Sequence, residues 1–83
     1  MSEIAPRSWR RTEVRCYAGY KADERPTSFL MDDREIQVRT ILAAWREPDY
    51  LYFRVGTDDD REHELRHHEH EDYWEVREAG QAQ

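Results

Sequence analysis

The run Trp45-Arg46-Glu47-Pro48-Asp49-Tyr50-Leu51-Tyr52-Phe53-Arg54-Val55-Gly56-Thr57 decides the fold class. Pro48-Asp49 is a turn signal between an apolar run that ends at Trp45 and a strictly alternating one. Side chains of an extended chain point alternately to opposite faces. Leu51, Phe53 and Val55 therefore share one face, and Tyr50, Tyr52 and Arg54 the other. The pattern predicts a half-buried strand entered from a tight turn, inside a small strand-rich domain.

Upstream, Arg34–Arg46 carries two periods. Read as a strand, Ile36, Val38, Thr40, Leu42 and Ala44 line one face, while Ile41 and Trp45 fall on the other. Read as a helix, Val38, Ile41, Leu42 and Trp45 form a stripe, with Asp33 as its cap. The β-branched residues Ile36, Val38, Thr40 and Ile41 favour the strand, and a bulge near Ile41 would absorb the phase change. Before it, Ser28–Met31 rises into a short apolar run that Asp32-Asp33 breaks as a hairpin turn. Gly19–Thr27 reads as a loop and Thr12–Ala18 as a first strand, with Val14, Cys16 and Ala18 on one face.

Downstream, residues 58–72 are almost without apolar side chains, Leu65 excepted, so a helix there has no face to bury. Tyr73–Glu78 alternates again. Two short strands joined by a turn at His68–Asp72 fit this stretch, and Asp58-Asp59-Asp60 reads as the turn before them.

At 83 residues the chain is one small domain with a thin core, reinforced by three Trp, five Tyr and two Phe. The reading divides it into a basic flexible arm (1–11), a single β domain (12–78) and a disordered tail (79–83). A single cysteine, Cys16, allows no internal disulfide and points to a reducing cytoplasm. No apolar run approaches the length of a membrane span. Charge is polarised: residues 1–21 hold five bases against two acids, and residues 58–78 hold ten acids against three bases. Such polarity suits self-complementarity or two partner surfaces of opposite sign.

The order of signals resembles a known family. It is carried by Val14-x-Cys16-x-Ala18-Gly19, Arg25-Pro26-x-x-Phe29, Val38-x-x-Ile41-Leu42-x-x-Trp45-Arg46-Glu47-Pro48, Tyr52-Phe53-Arg54-Val55 and Trp74-Glu75-Val76. Over residues 12–78 the chain is similar to small uncharacterised bacterial β domains, some appended to Y-family (translesion) polymerase-like proteins. The resemblance implies a compact β-meander or small SH3-like half-barrel, tips both ambiguous segments toward strand, and brings no catalytic residues. The expected fold is thus all-β, a twisted antiparallel meander or small barrel of five or six strands.

Three sets of residues carry candidate chemistry. Arg7, Trp9, Arg10, Arg11 and Arg15 interleave guanidinium groups with an indole, the residue types that bind single-stranded nucleic acid or an acidic partner. The net charge of −6 opposes a phosphate backbone. Tyr17, Tyr50, Tyr52 and Tyr73 fall opposite their strands' apolar faces and offer an aromatic surface to a protein. Histidines 63, 67, 68 and 70 have the donor atoms of a zinc site. On a strand, however, His63 and His67 lie roughly 13 Å apart, leaving only His67, His68 and His70 to converge at the turn. The acidic run 58–62 lacks the spacing and glycine of a calcium loop. Neither Ser2, Ser8, Ser28 nor Cys16 stands in a nucleophile motif, and no glycine-rich loop cradles a phosphate. The expectation is a non-catalytic, cofactor-free and metal-free interaction module whose partner is another protein, with nucleic acid as the alternative.

Overall fold

A computed structural model describes residues 8–16 and 25–81. It contains seven strands: β1 (Arg10–Thr12), β2 (Val14–Cys16), β3 (Pro26–Met31), β4 (Arg34–Glu47), β5 (Tyr50–Thr57), β6 (Arg61–His68) and β7 (Tyr73–Gln81). All pairings are antiparallel, in the spatial order β1-β7-β6-β5-β4-β3-β2.

The two ends of that order are joined by one residue. Glu13 alone separates β1, which pairs with β7, from β2, which pairs with β3. A single bent N-terminal segment therefore bridges both edges and rolls the sheet into a nearly closed barrel. The corner is stitched on both sides of Glu13: its carbonyl accepts the Leu30 N–H at 3.1 Å, and the Thr12 hydroxyl donates to the Leu30 carbonyl at 2.5 Å.

Four parts of the sequence reading need correction. Among the described residues the strands number seven, because the first strand is broken at Glu13 and starts two residues early. Arg10 and Arg11 belong to β1 rather than to a flexible arm. β7 runs to Gln81, into the segment read as a tail, since Gly80 and Gln81 pair with Glu62 and Arg61 and backbone pairing needs no apolar side chain. Pro26 opens β3 rather than lying in a loop, a strand position that tolerates a missing N–H. Segment 34–46 is a strand, with register shifts between Val38 and Thr40 and between Ile41 and Ala43. The second shift lets Ile41 oppose Val55 on the inside while Trp45 opposes Tyr52 on the outside.

The turns use aspartate where glycine is the usual choice. Asp32, Asp33, Asp60 and Asp72 all have positive φ, between 53° and 65°. Asp tolerates that region better than most side chains, because its carboxylate can bond nearby backbone.

The core is small: Phe29, Ile36, Phe53, Val55, Leu65 and Val76 are buried, flanked by Val14, Met31, Val38, Ile41, Leu51 and Trp74. Burying each aliphatic or Phe side chain contributes about 1.5–3 kcal/mol. β6, whose one apolar residue is Leu65, lies inside the sheet, between β5 and β7. It reaches the core by filling its inner face with imidazoles. His63 packs edge-on to Phe29 at 5.2 Å, and His67 stacks on Trp74 at 4.6 Å while its Nε2 meets Asp72 at 2.8 Å. Among the described residues no helix is long and apolar enough to cross a membrane.

Candidate interaction face

The outer side of β5, β6 and β7 is organised as three cross-strand rows. Tyr50, His68 and Tyr73 form the first, Tyr52, Arg66 and Glu75 the second, and Arg54, Glu64 and Arg77 the third. β1 extends the second row with Arg11, opposite Glu75, and β4 extends it with Trp45, opposite Tyr52.

In the first row His68 stacks on Tyr73 at 5.0 Å and stands edge-on to Tyr50 at 4.9 Å. The Tyr50 and Tyr73 hydroxyls bond to one another at 3.0 Å. That hydrogen bond pushes the Tyr73 phenol up to about 12, with loss of hydration and the Glu75 carboxylate acting in the same direction and Arg11 against them. The Arg11 guanidinium lies 3.8 Å over the Tyr73 ring.

In the second row Trp45 stacks on Tyr52 at 5.1 Å with planes 5° apart. Arg66 sits at the centre of the face. Its guanidinium lies 4.2 Å from both the Tyr50 and Trp9 rings, and its Nε donates to Glu75 at 2.7 Å. Burial pulls the guanidinium's pKa down, but the bonds to Glu75 and Tyr52 outweigh burial and raise it. Each such cation–ring contact contributes about 0.5–1 kcal/mol at a partly exposed site.

In the third row the buried Glu64 carboxylate accepts from Arg54 at 3.0 Å and from Arg77 at 2.9 Å. Burial pushes the carboxyl up, and the two guanidinium groups more than offset that, holding it below the ordinary range. Trp9 closes the face from above, 4.4 Å from the Arg77 guanidinium and edge-on to Tyr52 at 6.0 Å.

The structure thus merges two predicted sets and divides the first. Trp9 and Arg11 join Tyr50, Tyr52 and Tyr73 on one face. Arg10 and Arg15 turn elsewhere, toward Asp32 (3.6 Å) and Glu35 (3.4 Å). Arg7 and Tyr17 lie outside the described residues. Strand alternation splits the histidines: His63 and His67 face the core, His68 joins the aromatic row, and His70 is exposed in the turn. Among the described residues no three His, Cys, Asp or Glu side chains gather as a metal site.

Trp45, Arg66, Glu64 and Arg77 were missed as members of this face. Parity was the available signal for the last three: residues 64, 66 and 68, and 73, 75 and 77, alternate with the core-facing positions of their strands. Trp45 could be placed only by fixing the bulge before it.

No family model, curated protein or solved structure matches this chain.

Proposed function

We propose that this chain is a non-catalytic protein-interaction module, and that its contact surface is the aromatic outer face of β5–β7 with Trp9 and Trp45. One observation carries the reading: rings from Trp9, Trp45, Tyr50, Tyr52, His68 and Tyr73 lie in mutual contact on the side of the sheet that the apolar core does not use. Tyr, Trp and Arg dominate the energetics of protein interfaces, because they bury large area with few rotatable bonds. Here the rings brace one another, so little side-chain entropy remains to be lost on contact. The proposed setting is the bacterial cytoplasm, a reading that rests on the lone cysteine for the reducing compartment and on the family resemblance for the bacterial source.

The test is a pull-down of tagged chain from bacterial lysate, with and without nuclease, beside Trp45→Ala, Tyr52→Ala and the off-face control Arg15→Ala. A discrete protein that survives nuclease, is lost with the first two variants and is kept by the third supports the reading. Capture indifferent to Trp45 and Tyr52 overturns it.

The second reading is nucleic-acid binding through Arg7, Trp9, Arg10, Arg11 and Arg15, in the polymerase setting that the family resemblance implies. The approach of Trp9 and Arg11 to the tyrosines favours it, since stacked rings beside a cation suit single-stranded bases. Against it, Arg54, Arg66 and Arg77 are already engaged by Glu62, Glu64 and Glu75, so a phosphate must compete with built-in carboxylates. Binding of labelled single-stranded DNA that weakens steeply with salt would move this reading to first place.

A further inference from the structure

β4 is covered on its two sides by different strands. β3 pairs only with Arg34–Gln37, and β5 takes the opposite side from Val38 to Glu47. Among the described residues, the β3-facing edge of residues 39–47 has no strand beside it. Seven of those nine residues are exposed, and Leu42, at 48%, is the most exposed large apolar residue in the described structure. Free edges are usually protected by charge, proline or bulges. The first half of this one is broken by the two register shifts. The second half, Ala43–Glu47, pairs one-to-one with Tyr50–Arg54 and is regular.

We propose that a second copy of this chain adds to that edge, antiparallel, about a two-fold axis at Trp45. The regular stretch is complementary to itself. With Trp45 opposite Trp45 of the second copy, Ala44 opposes Arg46 on the inner face and Ala43 opposes Glu47 on the outer face. Both long polar side chains thereby meet an alanine, the smallest cross-strand neighbour. The Glu47 carboxylate arrives beside Arg54, the β5 neighbour of Ala43 on the same face. The two Trp45 rings, each stacked on its own Tyr52, join the second rows of the two copies into one. A two-fold interface requires that whatever one copy presents its mate can receive, and this five-residue stretch meets that condition in size, with Arg54 of β5 supplying the charge that receives Glu47. Trp45 belongs to both surfaces, but the proposal does not rest on the aromatic-face reading: the pairing uses backbone groups of the sheet edge, and its test reads the oligomeric state rather than capture of a partner.

Five residues make a small interface, so the association is weak and depends on concentration. Sedimentation velocity of the full chain from about 10 µM to about 1 mM should show a monomer–dimer equilibrium. Ala44→Lys sets a cation against Arg46 and should raise the dissociation constant about tenfold, since the change is felt twice across the axis. Ala44→Glu should lower it severalfold. Circular dichroism verifies that both variants remain folded. In a Cys16→Ser background, single cysteines placed in turn at 43 to 47 should cross-link most at 45. A chain that stays monomeric at the top concentration overturns the proposal. So does a dimer that answers both charges at Ala44 alike, or one that cross-links best elsewhere.

Discussion

Tyr50 and Tyr73 sit two strands apart, yet their hydroxyls meet at 3.0 Å over His68, the residue that pairs with both. The bond spans the whole width of β6 and holds the outer row closed from β5 to β7. It should be visible in ultraviolet titration. Tyr73 should ionise near 12, and Tyr50→Phe, which removes the hydroxyl partner, should bring it back toward the ordinary phenol value of about 10. A Tyr73 that titrates normally in the unmodified chain would mean that the row is open in solution.

Glu64 should govern acid stability. Its folded pKa is depressed, so its contribution is present above the unfolded carboxylate value of about 4.3 and is lost as pH falls toward the folded value. Glu64→Gln should lower stability at pH 7 by about 1.5–3 kcal/mol, the range for hydrogen bonds to charged groups, and flatten the decline below pH 5. Urea midpoints at pH 7 and pH 4 measure both effects.

His63 should act in a higher window. Burial holds its imidazole below the ordinary value, against the pull of Asp59 and Glu78 and with help from Arg61. The unfolded chain therefore binds the proton more readily, and stability should fall as pH drops through about 6.5 toward the folded value. Among the described residues the buried Nδ1 has no hydrogen-bond partner, and the ring packs against Phe29. His63→Phe should thus remove the slope between pH 7 and pH 5 without loss of stability at pH 8. Melting temperatures of the two proteins across that range separate this from the Glu64 effect.

Trp9 should be docked in free solution. Its contacts with Arg66, Arg77 and Tyr52 predict a blue-shifted indole and a loss of about 1 kcal/mol on Trp9→Ala, the order expected for a few partly exposed ring contacts. Fluorescence of a chain that keeps Trp9 while Trp45 and Trp74 are replaced by Phe reads the environment. The urea midpoint of Trp9→Ala reads the energy.

What the sequence discloses follows from how local the cause is. The alternation of Tyr50–Val55 and the Asp32-Asp33 and Pro48-Asp49 turns are set by neighbours within a few residues, and each stands where it is expected. The phase change between Ile41 and Trp45 was legible as a bulge for the same reason. β6 was legible as a strand but not as one with so many buried residues. A composition of Glu, His and Arg signals solvent, and only its neighbours Phe29, Trp74, Arg54 and Arg77 turn His63, Glu64 and His67 into buried residues. The meeting of Trp9 with Arg66 and Arg77 depends on β1 reaching β7 from the far end of the chain, which no local pattern encodes.

The bend at Glu13 also sets a timetable for synthesis. Of these seven strands a ribosome delivers β1 and β2 before the others, and β7, the partner of β1, after them. The β3–β7 meander can assemble hairpin by hairpin from short-range pairings, whereas closure must wait for Trp74–Val76 and bear the full entropy of the longest loop in the molecule. Until then the nascent chain carries two open sheet edges, the state most exposed to pairing with a neighbouring chain.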